Sequence, residues 1–168
     1  MQKEEKKEFK SGFISILGRT NVGKSTLLNN LIGEKVAITA NKPQTTRTAI
    51  RAIVNRENAQ IIFVDTPGIH KPKTKLGETM VDTAFSSIGD VDVVLFLIEA
   101  TSTDIGKGDR MILDKIKASG KKAILIINKI DLIEKEKLLD IITLYSKEYN
   151  FSAVIPLAAT DSKYANTV

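Results

Sequence analysis

Two periodicities take turns along this chain. Phe13-Ile14-Ser15-Ile16-Leu17 is a short apolar run leading straight into Gly18, which predicts a buried strand. From Lys24 to Ile32, residues Leu27, Leu28, Leu31 and Ile32 share one helical face, and Gly33 supplies a stop. Thr46 to Val54 then changes period. Thr48, Ile50, Ala52 and Val54 fall on one side and Arg47 and Arg51 on the other, as in an edge strand with one solvated face. The polar turn Asn55 to Asn58 leads into Ile61 to Val64, so these two strands should form a hairpin. Val81, Ala84, Phe85 and Ile88 return to helical spacing before Gly89. Val91 to Ile98 reads as a parallel strand covered on both faces, with Val93 to Ile98 wholly apolar. Helices are predicted over Gly108–Ser119 and Glu134–Tyr149, and strands over Ala123–Ile127 and Ala153–Ile155.

Strands alternating with helices imply a doubly wound α/β fold. The expected sheet has six strands, mostly parallel with one antiparallel edge strand, and helices on both faces. A length of 168 residues suits one domain with one sizeable core, and neither repeats nor a linker divide it. Residues 1–11 read as a flexible tail and 12–168 as the domain.

Composition narrows the setting. With 42% hydrophobic and 27% charged residues the chain is of the globular rather than the disordered class. It contains no cysteine, which excludes disulfides and thiolate metal sites and suits a reducing cytoplasm. No apolar run approaches the length of a membrane span, and Met1 to Lys10 has no signal-peptide core. The net charge of +5 would favour nucleic acid only if it were clustered. Here the lysines are scattered with few aromatics beside them, so they read as solvated faces.

The chemistry is concentrated in four segments. Gly18-Arg19-Thr20-Asn21-Val22-Gly23-Lys24-Ser25 fits GxxxxGK[ST] between an apolar strand and an amphipathic helix. The glycines let backbone N–H groups curl around phosphates, and the helix N-terminus points its dipole at them. Lys24 would neutralise the β- and γ-phosphates, the Ser25 hydroxyl would ligate Mg²⁺, and Thr26 follows on the same turn. The fold class is therefore that of the P-loop NTPases. At the end of the Ile61–Val64 strand, Asp65-Thr66-Pro67-Gly68 places a carboxylate beside the metal and a glycine N–H where a γ-phosphate would sit.

Asn128-Lys129-Ile130-Asp131 selects the base. The Asp131 carboxylate accepts from guanine N1–H and its amino group, whereas adenine would leave it unpaired. Two charge-assisted bonds of roughly 1.5–3 kcal/mol each separate the bases by orders of magnitude. Asn128 would support the loop and the Lys129 stem would cover the purine. In Pro43-Gln44-Thr45-Thr46-Arg47 one threonine would complete the metal shell, with Thr46 favoured over Thr45.

The order GRTNVGKS, PQTTR, DTPG and NKID resembles the translation-factor-related P-loop GTPases, and within them the Era family. The cues specific to Era are KPQTTR at 42–47 and DTPGIHKPK at 65–73, and the likeness runs from about Gly12 to Ala159. It implies a GTP-hydrolysing switch with Mg²⁺ and GTP or GDP as ligands. It also implies a role in small ribosomal subunit assembly, with binding of its rRNA through a C-terminal KH domain. A cytoplasmic location with a peripheral membrane contact is implied too, and no dedicated oligomer.

The resemblance assigns catalysis to Lys24, Asn21, Thr46 and Gly68. Asn21 would hold a K⁺ ion between α- and γ-phosphates. This chain has Thr20 where the family has proline. It has Ala158-Ala159 where the family has Ser-Ala for a backbone contact to guanine, so the turn's side-chain hydrogen bond is lost. Ile69 follows DxxG where many GTPases carry the water-orienting glutamine, so intrinsic turnover should be slow. His70, the sole histidine, reads as a surface residue.

Other readings remain open at this point: a sister GTPase of ribosome assembly or tRNA modification, a non-hydrolysing nucleotide sensor, or a P-loop ATPase or kinase, which NKID disfavours. Residues 160–168 are polar and lack helical spacing. The expectation is that the family's last helix and KH domain are absent. The domain should then be marginal, stabilised by nucleotide and prone to self-associate through an uncovered strip of sheet.

Overall fold

The apolar runs pair into a single sheet in this structure, a computed structural model that describes residues 9–32, 50–64, 87–161 and 163. Its strands are β1 (Lys10–Leu17), β2 (Ile50–Arg56), β3 (Ala59–Val64), β4 (Val93–Glu99), β5 (Lys122–Asn128) and β6 (Ala153–Pro156). They lie side by side in the order β2-β3-β1-β4-β5-β6. Only β2 runs antiparallel, paired with β3 in the expected hairpin; every other neighbour is parallel. Helices α1 (Lys24–Ile32), α2 (Lys107–Ser119) and α3 (Lys135–Glu148) complete the described layers, as a doubly wound fold requires.

Alternation along the central strands sends successive side chains to opposite cores. Val94, Phe96 and Ile98 of β4 and Ala123, Leu125 and Ile127 of β5 face α2 and α3, which contribute Ile112, Leu113, Ile116, Ile141 and Tyr145. Leu95, Leu97 and Ile126 point the other way, against Leu27 and Leu31 of α1 and Ala52, Val54 and Phe63 of the hairpin. This two-sided burial is why β4 and β5 read as continuous apolar runs. At the surface, Glu148 of α3 takes Arg110 (2.6 Å) and Lys117 (3.1 Å) of α2, which registers the two helices.

Several expected boundaries shift. β1 begins at Lys10, whose N–H donates to the Asn58 carbonyl at 3.1 Å, so residues 10 and 11 belong to the sheet rather than to a tail. β4 begins at Val93, not Val91. Asp92 closes around Phe13 instead, with its Oδ2 accepting from Phe13 N–H at 2.8 Å and its own N–H donating to the Phe13 carbonyl at 2.9 Å. Ser87–Asp90 forms a 3₁₀ turn where the helical spacing predicted an α-helix end. The expected helix over 81–86 and the polar end at 164–168 lie outside the described residues.

The topology fixes where a ligand can enter. The chain leaves β1 through α1 to build the hairpin on one side, then returns to lay β4 on the other. Strand order therefore reverses at β1, and the crevice opens beyond its C-terminal end, where Gly18 follows Leu17.

Phe96 is wholly buried and meets the rings of Tyr145 and Phe151 at 6.0 and 6.4 Å. Phe96→Ala should lower unfolding free energy by about 3–5 kcal/mol. Leu139→Ala, at an exposed position, should change it by less than about 0.5 kcal/mol. Urea midpoints of the two variants check this pair.

Candidate nucleotide-binding site

The loop between β1 and α1 owes its shape to two glycines. Gly18 passes so close to β4 that a Cβ there would stand 2.5 Å from the Leu97 carbonyl oxygen. Gly23 has φ +105°, and a Cβ on it would come within 2.2 Å of Asn128 Nδ2. Asn21 also takes a left-handed conformation, with φ 65°. The chain curls here and enters α1 at Lys24, with Ser25 and Thr26 exposed on the first helical turn. The backbone amides and helix dipole at this end make a cradle for anions.

Lys24 folds back over the loop and donates from Nζ to the carbonyls of Gly18 (2.8 Å) and Arg19 (2.5 Å). Burial lowers its pKa from the ordinary 10.5 to about 8. The Arg19 side chain turns away from the cradle. Its Nε lies 3.1 and 3.0 Å from the two oxygens of Asp109, while NH2 reaches Glu99 Oε1 at 3.3 Å and Ser102 Oγ at 3.2 Å. Burial raises the Asp109 pKa, and the Arg19 charge opposes that rise.

Asn128-Lys129-Ile130-Asp131, the motif expected to select the base, sits at the C-terminal end of β5. Asn128 is buried, and its carboxamide joins three segments. Nδ2 donates to the Val22 carbonyl at 2.8 Å, and Oδ1 accepts from Ala159 N–H at 2.8 Å. Asn30 of α1 donates to the Ala159 carbonyl from the other side. Lys129 has left-handed φ 65° and ψ 35°, and Asp131 is exposed in the 3₁₀ turn Ile130–Leu132. The structure thus brings together Gly18 to Thr26, Asn128 to Asp131 and Ala158-Ala159. Thr45, Thr46, Asp65, Thr66, Pro67 and Gly68 lie outside the described residues, as do Ile69 and His70. The Ala159 N–H, expected to face guanine, donates to Asn128 Oδ1 at 2.8 Å in this structure.

Residues 13–129 match the family described as 50S ribosome-binding GTPase. The chain belongs to that GTPase family. Within it, the chain is 54% identical over 151 residues to GTPase Era of Ruminiclostridium cellulolyticum, covering 90% of this chain and 50% of the relative. With GTPase Era of Clostridioides difficile it is 50% identical over 161 residues, covering 95% and 54%. Among solved structures it is similar to Era in complex with MgGDPNP and nucleotides 1506–1542 of 16S ribosomal RNA. The TM-score is 0.75 at 42% identity, over 91% of this chain and 52% of that one. An Era variant from Aquifex aeolicus bound to GDP and tetrafluoroaluminate gives 0.74 at 41%, over 90% and 52%. These relatives bear out the resemblance to Era that the motifs carry. The chain spans about half the length of the curated relatives it matches.

For a GTPase of this family, Mg²⁺ is the implied metal, and of its expected donors Ser25 lies among the described residues. Among the described residues no three His, Cys, Asp or Glu converge on one point. Ser25, exposed beside the anion cradle, offers a hard hydroxyl oxygen of the kind Mg²⁺ takes alongside phosphate oxygens. No helix among the described residues is long and apolar enough to cross a membrane.

Sequence reasoning missed Glu99 and Asp109, though both left signals. Glu99 is the polar residue that ends the apolar run of β4, at the strand end where ligands gather. Asp109 stands in phase with Ile112, Leu113 and Ile116 on the buried face of α2, a carboxylate on an apolar stripe.

A phosphate chain settling beside Lys24 would favour its charged form, so the liganded protein holds more protons above pH 8 than the free one. Affinity for GDP should therefore fall as pH rises through about 8, by roughly tenfold between pH 7 and 9. Calorimetric titration across that range reads it, and Lys24→Arg should flatten the profile because arginine stays charged.

Proposed function

We propose that this chain binds GTP and GDP with Mg²⁺ and hydrolyses GTP slowly, as a switch of the Era type. The observation that carries the reading is the Asn128 carboxamide, which holds the phosphate loop at Val22 and the Ala158-Ala159 turn at one point. A phosphate cradle and a base-selecting loop are thereby set at a fixed separation, as one nucleotide requires. In this reading Lys24 and the loop amides take the β- and γ-phosphates, Ser25, Thr46 and Asp65 hold the metal directly or through water, and Asp131 pairs with guanine. Mg²⁺, when bound with the nucleotide, offsets the charge that builds on the phosphate oxygens. Gly68 N–H and Thr46 would respond to the γ-phosphate, and Lys24 would follow negative charge toward the leaving β-phosphate. Ile69 cannot orient water, so positioning and charge neutralisation carry the rate.

The exposed, left-handed Asn21 supports a monovalent-cation role in the same loop. We infer a cytoplasmic location and a ribosomal RNA partner. Era, a relative at 42% identity, was crystallised with 16S rRNA, a small-subunit RNA. The family description instead names the 50S subunit. We favour the small subunit, because the Era resemblance extends to the KPQTTR and DTPGIHKPK segments. A peripheral membrane contact would draw on surface lysines.

Two experiments test this reading. Asp131→Asn should weaken GTP binding by at least about a hundredfold and gain affinity for XTP, whose C2 carbonyl accepts from the new amide. Full GTP affinity with none for XTP would remove Asp131 from the base site. Phosphate release should be faster in KCl than in NaCl at equal ionic strength, and Asn21→Ala should abolish the difference. Equal rates in the two salts would refute the cation role.

A further inference from the structure

Glu99 stands between the two halves of the site and takes one cation from each. Its Oε2 lies 2.8 Å from Lys129 Nζ, in the base-selecting loop. Its Oε1 lies 3.3 Å from NH2 of Arg19, in the phosphate loop. Glu99 is also the strand partner of Asn128, so the bridge rests on the last rung of the β4–β5 ladder. The groups are one-quarter to one-third exposed, which leaves the pairs partly shielded from water.

The Arg19 end is rigid. Asp109, itself buried, holds its Nε, and Ser102 accepts from NH2. Gly108 leaves room for the side chain, since a Cβ there would meet Arg19 Cδ at 2.8 Å. The Arg19 carbonyl meanwhile accepts from Lys24 Nζ, so one residue anchors the bridge outward and the phosphate-binding lysine inward. The Lys129 end has less support. Its backbone is held in the left-handed region, and Glu99 is the acceptor that fixes its ammonium in this structure.

We infer that Glu99 is a positioning residue: it fixes the Lys129 side chain over the purine and ties that pose to the phosphate loop through Arg19. The inference rests on the guanine-nucleotide reading above and adds a residue to it. A carboxylate between two fixed cations resists displacement of either loop, so a base and a phosphate chain would meet loops already at their bound spacing. Glu99→Gln keeps the shape and removes the charge. Arg19 would stay clamped by Asp109, whereas Lys129 would lose its anchor, so the damage should run through Lys129.

The test is a double-mutant cycle on the full 168-residue chain, with GDP affinity measured by calorimetry and folding by thermal melting. Glu99→Gln should bind GDP about tenfold more weakly while melting cooperatively, the loss expected of one partly exposed charge-assisted bond. In a Lys129→Met background the same change should cost less than about twofold, because nothing remains for Glu99 to position. A residue that merely supports the fold would cost the same in both backgrounds, and that result would overturn the inference. So would Glu99→Gln binding GDP as well as the parent chain, or failing to melt cooperatively. A parent chain with no GDP affinity would remove the guanine-nucleotide reading itself, and this inference with it.

Discussion

A single buried carboxamide holds the site together. Asn128 donates to Val22 and accepts from Ala159, and it does so from a position 3% exposed. A buried hydrogen-bonding group left unmatched costs about 1–3 kcal/mol. Neither the phosphate loop nor the Ala158-Ala159 turn can therefore drift from β5 without exposing such a group. The requirement reaches back into the loop's own sequence. Gly23 is obliged to be glycine for its φ of +105°, and again because any side chain would collide with Asn128 Nδ2. The second glycine of a phosphate motif is thus also a packing partner of the base motif.

Around that joint lies an electrostatic frame that differs in kind. Arg19, Glu99, Asp109 and Lys129 alternate in sign across the mouth of the crevice. Asp109 illustrates the cost of such a frame: burial pushes its pKa up, and the Arg19 charge is the largest influence against that rise. A buried carboxylate of this sort is weak evidence for stability and better evidence for a defined geometry. Lys24 shows the complementary case on the ligand side. Desolvation brings its pKa down to about 8, and an anion beside it would favour the charged form.

Much of this was legible in the residues. The apolar runs at Val93–Ile98 and Ala123–Ile127 announced central parallel strands, because two-sided burial leaves no room for polar alternation. GRTNVGKS and NKID pointed to the family because each motif is local and its glycines, lysine and carboxylate have few other uses at those spacings. What stayed hidden depends on contacts distant in sequence. Nothing near Arg19 says that its guanidinium turns outward to Asp109 in α2. Asp92 looks like an interruption of an apolar strand until Phe13 is placed beside it. The sequence likewise does not place Asn128 Oδ1 next to the Ala159 amide. Boundaries moved by one to three residues for the same reason: pairing partners, not periodicity, decide where a ladder starts.

In the proposed function, three sequence-distant segments, 18–26, 128–132 and 158–160, form one guanine-nucleotide site. Hydrogen–deuterium exchange of the chain with GDP, with ADP and without nucleotide tests it most directly. Backbone amides in all three segments should slow together on adding GDP and remain unchanged with ADP at the same concentration. Protection confined to the phosphate loop, or equal protection by ADP, would contradict the account.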